Sequence, residues 1–145
     1  MITIPASLLR EIYNHTESSY PNECCGVMIG TSEEGGRNKL VHAFRICKNL
    51  NTERSRDRYT TDPLDMLKVE REFANGPFDI IGIYHSHPDH PSRPSKTDTD
   101  AAFAGYSYVI VSVEKGSVAS AQSWVLNESE RKFYEEPIVS EGESK

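Results

Sequence analysis

The stretch DIIGIYHSHPDHPSRPSKTD, Asp79 to Asp98, decides how this sequence is read. It opens as a mostly apolar strand over Asp79 to His87 and turns polar at its end. Pro88, Pro91 and Pro94 stiffen the loop that follows. Ser95-Lys96-Thr97-Asp98 then has the form of a helix start, with Ser95 as N-cap and Asp98 three residues on. Side chains alternate across a strand, so His85 and His87 project from one face. Two imidazoles side by side are half of a tetrahedral zinc site, although a histidine pair on a strand is also found with no metal role.

Working outward, Met1 to Ile4 alternate, and Pro5 stands at a natural first helical position. Leu8, Leu9, Ile12 and Tyr13 share a helical face, which predicts a helix over 5–18. The run ECCGVMIG, from Glu23 to Gly30, reads as a strand closed by a polar turn over Thr31 to Asn38. A second strand follows over Leu40 to Ile46, with Leu40, His42, Phe44 and Ile46 on one face. Residues 48–61 form a long polar loop holding Arg54, Arg56 and Arg58, and long loops in compact domains tend to be functional or disordered. A helix from Pro63 to about Ala74 is stopped by Gly76-Pro77. Beyond the quoted stretch, the helix opened by Ser95 runs to about Phe103. Strands are expected over Ser107 to Val113, Ala119 to Leu126 and 131–138.

These elements describe one α/β domain over 1–136, a mixed central sheet flanked by two to three helices, with a polar disordered tail over 137–145. The 145 residues suit a single domain. The net charge of −6 argues against binding nucleic acid by bulk phosphate attraction. No run of 18 apolar residues is present to span a membrane, and the first residues lack the form of a secretory signal. Three cysteines, two of them adjacent, set up no disulfide framework, so the expected location is the reducing cytoplasm.

Two patterns compete for a third ligand. Residues 85–90, H-S-H-P-D-H, resemble the metal signature of metallo-β-lactamase-like hydrolases, but that family needs histidines far downstream and none follows His90. The other pattern, H-x-H-x7-S-x2-D, adds Asp98. Two imidazoles and a carboxylate leave the fourth zinc position open, the arrangement of a catalytic site. Ser95 and Asp98 also make a capping box, which competes only in part for the same oxygen atoms. Glu23, at the mouth of its strand, reads on position alone as a solvated edge charge.

Together, Glu23, His85-Ser86-His87-Pro88, Ser95 and Asp98 resemble the JAMM/MPN-plus zinc metallopeptidases, whose pattern is E…H-S/T-H-P-x6-S-x2-D. The resemblance runs from the first helix to the strand with Trp124 and is nearest the short stand-alone prokaryotic branch. It implies a cytidine-deaminase-like JAB/MPN fold and one Zn²⁺ per chain held by His85, His87 and Asp98. It also implies Glu23 as the base that takes a proton from water and returns it to the leaving amine, and Ser95 as donor to the oxyanion. The implied substrates are ubiquitin-like or sulfur-carrier proteins of the ThiS/MoaD type, cleaved after a C-terminal Gly-Gly; a homodimer is left open. The alternatives are a non-catalytic MPN scaffold and a RadC-type domain, the latter disfavoured by the acidic charge.

The remaining candidates have simpler readings. Asp89 and His90 read as rim residues, Asp100 as a partner of the helix dipole, and Cys24 and Cys25 as core packing. His15 and His42 read as surface or half-buried residues. The three arginines are either solvated or a basic loop facing a substrate backbone or acidic patch.

Overall fold

A computed structural model describes residues 1–140. In chain order the elements are β1 (Ile2–Thr3), α1 (Ala6–Ser19), β2 (Cys25–Glu33), β3 (Asn38–Cys47), α2 (Pro63–Glu72), β4 (Asp79–Pro88), α3 (Lys96–Ala101), β5 (Ser107–Glu114), β6 (Ser117–Asn127), β7 (Lys132–Glu136) and β8 (Ile138–Val139). The α/β class and the mixed sheet follow the sequence expectation. The strands form one sheet in the order β7-β6-β5-β4-β2-β3-β1-β8. Pairings are antiparallel except for β4 with β5 and β1 with its two neighbours, which are parallel.

The central strands are apolar because both their faces are covered. Every residue of β5 before Glu114 is buried, as is β4 from Ile81 onward. On one face, Met28, Val41, Tyr84, Val109 and Val111 form a core with Ile12 of α1, against which Leu8, Leu9 and Tyr13 also pack. Truncating a fully buried isoleucine such as Ile12 to alanine costs about 2–5 kcal/mol in such a core. On the opposite face, Cys25, Val27, Ile29, Ile83 and Tyr108 pack with Val69 of α2. Helix α2 starts sharply because the Asp62 side chain accepts from the Leu64 amide at 2.9 Å and Pro63 occupies the first turn. Gly26 is required where it stands: a Cβ there would collide with the Tyr84 ring, which crosses β2 at that point.

Two sequence expectations need correction. Leu40, His42, Phe44 and Ile46 do not share one face of β3: Phe44 packs with Val41 against the core under α1, whereas His42 stacks on Phe78 of the opposite core. A register shift between Ile29 and Gly30 breaks the simple alternation against β2. Within the disordered tail expected from 137, Ile138 and Val139 are instead a strand that pairs in parallel with Ile2 and Thr3. Residues 141–145 of that expected tail lie outside the described residues. Since only Pro137 separates β7 from β8, the chain itself joins the two ends of the sheet order. Glu136 sits at that joint, buried, with a cluster of polar groups around it.

Candidate metal centre

The polar end of β4 emerges on the face that carries α2, because His85 and His87 continue the alternation of Ile83. His85 is fully buried and His87 nearly so, with ring centroids 5.1 Å apart. Glu23 reaches them from the entrance of β2, whose Cys25 is the register partner of His85. Its Oε1 lies 3.7 Å from His85 Nδ1. Asp98 comes from the first turn of α3, its Oδ2 3.1 Å from His87 Nε2 and its Oδ1 3.8 Å from His85 Nε2. The four side chains singled out from the sequence are therefore brought together from three separate elements.

Ser95 is the N-cap of α3. Its Oγ accepts from the Asp98 amide at 3.0 Å, and Asp98 Oδ2 accepts from the Ser95 amide at 2.9 Å. The capping box is thus real, and it aims the Asp98 carboxylate at the histidines instead of withdrawing it. Ser95 lines a cavity of about 470 Å³ together with Glu23 and His87. A larger cavity of about 680 Å³ opens on the other side of Asp98, lined by Tyr59, Met66, Phe103 and Tyr106 among others.

The surroundings of His87 set which of its ring nitrogens carries the hydrogen. Its Nδ1 is 2.8 Å from the Pro91 carbonyl, which only accepts, so Nδ1 carries the hydrogen. In the neutral ring Nε2 then presents a lone pair toward Asp98, the form a metal ligand needs. Without a metal the carboxylate favours the imidazolium: burial opposes the charge, yet the Asp98 and Pro91 hydrogen bonds raise the His87 pKa. Burial would likewise raise Asp98, but the His87 hydrogen bond and the nearby His85 hold it well below the usual carboxylate range.

His85 is the test of fit. Four buried side-chain polar atoms lack a hydrogen-bond partner among the described residues, and three of them are Glu23 Oε1 and the two ring nitrogens of His85. Unpaired buried groups cost about 1–3 kcal/mol each, so three converging on one point call for a ligand that binds them. Glu23, His85 and His87 each offer a donor atom within 4.8 Å of the others, and the donor set of nitrogen and carboxylate oxygen suits a divalent cation.

Residues 5–127 match the family model of prokaryotic homologs of the JAB domain. The chain belongs to this family. Among its relatives, a desampylase of Haloferax volcanii is 32% identical over 109 residues, which are 74% of this chain and 73% of that protein. A CysO-cysteine peptidase of Mycobacterium tuberculosis is 33% identical over 102 residues, 70% of this chain and 66% of that protein. A solution structure from Desulfitobacterium hafniense superposes with a TM-score of 0.83 at 28% identity, covering 99% of this chain and 94% of that one. The prokaryotic JAB fold thus extends over almost the whole chain.

Around this JAB-domain site the other candidates fall into place. Asp89 turns away and accepts from the Tyr20 hydroxyl at 2.6 Å and the Lys115 amide at 3.0 Å. His90 lies edge-on to His87, with centroids 6.4 Å apart, and lines the smaller cavity. Asp100 pairs with Lys96 at the surface. Cys24 and Cys25 are buried and free of disulfides, and burial pushes the Cys25 thiol up to about 12. His15 Nδ1 is 2.7 Å from the Tyr84 hydroxyl, and His42 stacks on Phe78. Of the three arginines, Arg54 is tied to Asp57 at 2.6 Å, Arg56 is within electrostatic reach of Asp89, and Arg58 lines both cavities. Sequence reasoning missed Tyr59, whose ring stacks on His85; the length of its loop was the only signal.

Proposed function

We propose that the protein is a zinc-dependent peptidase or isopeptidase that hydrolyses the amide bond after the C-terminal Gly-Gly of a ubiquitin-like or sulfur-carrier protein. The observation that carries this reading is the convergence of Glu23, His85, His87 and Asp98, with Glu23 Oε1 and both ring nitrogens of His85 buried and unpaired. His85, His87 and Asp98 would hold one Zn²⁺ per chain. When bound, the ion supplies Lewis-acid activation of water and of the scissile carbonyl.

Glu23 is the proton carrier. Its backbone is clamped on both sides, the amide donating to Ser55 O and the carbonyl accepting from Asn49 Nδ2 at 3.2 Å. The carboxylate is therefore held in place while Oε1 stays unpaired, able to take a proton from water and return it to the leaving amine. Ser95 Oγ uses its lone pair on the Asp98 amide, which leaves its hydroxyl hydrogen to donate to the oxyanion of the tetrahedral intermediate. The larger, mostly apolar cavity beside Asp98 accommodates the tail that leads to the scissile bond. An extended Gly-Gly segment can thread toward the buried histidines where bulky side chains cannot, and strand addition is a fitting way to hold it. A desampylase and a CysO-cysteine peptidase among the relatives support amide-bond cleavage as the activity these side chains serve. Three buried free cysteines suit work in the cytoplasm.

The test is intact-mass analysis of Gly-Gly-ended carriers extended by cysteine or fused to a reporter, incubated with zinc-loaded protein. Loss of the extension, abolished by chelation, is the expected result. A folded, metal-binding protein that cleaves none of them would favour the scaffold reading instead.

A further inference from the structure

The two histidines at the centre are oriented by different means. His87 is fixed in the way common to metal-bound imidazoles, with the nitrogen that does not face the site bonded to a backbone carbonyl, here Pro91 O at 2.8 Å. His85 has no such bond. A metal ion occupies one of its nitrogens at most, and neither has a hydrogen-bond partner among the described residues. What lies against the His85 ring is Tyr59, stacked with centroids 4.2 Å apart and an interplanar angle of 22°.

The loop holds Tyr59 firmly. Leu50 N donates to Thr60 O at 2.8 Å and Asp62 N to Lys48 O at 3.1 Å, which closes the neck of the loop. Inside it, Asn49 uses its full hydrogen-bonding capacity. Its Oδ1 accepts from the amides of Asn51 and Thr60, at 3.0 and 2.9 Å. Its Nδ2 donates to the carbonyls of Glu23 and Arg58, at 3.2 and 3.1 Å. Arg58 and Thr60 are the neighbours of Tyr59, so one side chain pins the backbone on both sides of the tyrosine and ties it to Glu23.

We propose that Tyr59 is the positioning residue for His85, its Asn49-clamped ring fixing the imidazole plane in place of the hydrogen bond that His87 makes to Pro91. The proposal rests on the metal-site reading above. The long loop then has a physical purpose, because it sets the ligand and the base in one rigid frame before substrate arrives. A metal site requires that preorganisation.

The test measures zinc affinity of the full chain by competition with a chromophoric chelator, alongside the Tm of the metal-free protein. Tyr59→Leu raises the zinc Kd about tenfold or more, the range in which supporting groups of metal ligands act, and Tyr59→Phe stays within about twofold of wild type. Asn49→Ala shifts the Kd in the same direction as Tyr59→Leu. Phe73→Leu thins the same core away from the histidines, lowering Tm while leaving the Kd unchanged. The proposal is overturned if Tyr59→Leu binds zinc as wild type does, if Tyr59→Phe fails to rescue affinity, or if Phe73→Leu weakens zinc equally. A wild-type protein that binds no zinc overturns the metal-site reading, and this proposal with it.

Discussion

Two buried polar clusters lie in this sheet, and they differ in how completely they are paired. At the joint of β7 and β8, Lys39 Nζ donates to Ser107 Oγ at 2.8 Å, and Ser107 and Ser123 both donate to Glu136 Oε1. Glu136 Oε2 is 3.3 Å from the Met1 amine. No side-chain atom of that cluster lacks a partner, whereas the cluster at the end of β4 leaves Glu23 and His85 unpaired. Both bury charge in an apolar interior, where an unmatched polar group is expensive. The first cluster recovers that cost within the protein and closes the sheet. The second recovers it only through something bound. Burial of polar residues therefore does not mark a site; burial without partners does.

Removing the base from the open cluster has the largest expected effect. Glu23→Gln keeps one zinc per chain but lowers the hydrolysis rate by at least about 10²-fold, since acid–base groups contribute about 10²–10⁴. Rate assays beside elemental analysis check this, and retained activity would remove Glu23 from its role. Ser107→Ala breaks the closed cluster and leaves the Lys39 ammonium without its acceptor. The expected loss is about 1–3 kcal/mol in denaturant unfolding, with zinc affinity unaltered.

His85→Phe sharpens the contrast from the other side. Phenylalanine keeps a ring against Tyr59 and deletes two unpaired nitrogens, so the metal-free variant is more stable than metal-free wild type by about 1 kcal/mol. Calorimetric Tm values of the two metal-free proteins decide it. The smallest effect is a pH dependence in the closed cluster. Burial lowers the Lys39 pKa from its ordinary 10.5, opposed by Glu136. Between the folded-state value and 10.5 the unfolded chain binds more protons, so this lysine's contribution to stability rises with pH across that window. The stability of wild type relative to Lys39→Met should therefore increase on approaching pH 10.5 in parallel unfolding curves.

The sequence showed most of this fold because its signals are local. Pro63 and Gly76 bracket α2, and the alternation across His85 and His87 places both on one face whatever lies beyond. The convergence of Asp98 was legible too, since a capping box fixes the carboxylate at the start of α3 and the proline-rich loop limits its reach. What stayed hidden depends on long-range pairing. Nothing local says that Ile138 and Val139 would pair with Ile2 and Thr3 across the whole chain, or that Lys39 would be buried against Ser107 and Glu136. Tyr59 was missed for the same reason: its place on His85 is set by Asn49 bridging Glu23 and Arg58, contacts invisible in a polar loop sequence.

The most direct measurement of the central claim is a zinc titration followed by native mass spectrometry, comparing wild type with His85→Phe and Ser107→Ala. One zinc per chain in wild type and Ser107→Ala, and none in His85→Phe, is the predicted result. Equal zinc uptake by His85→Phe, or none by wild type, would contradict the account.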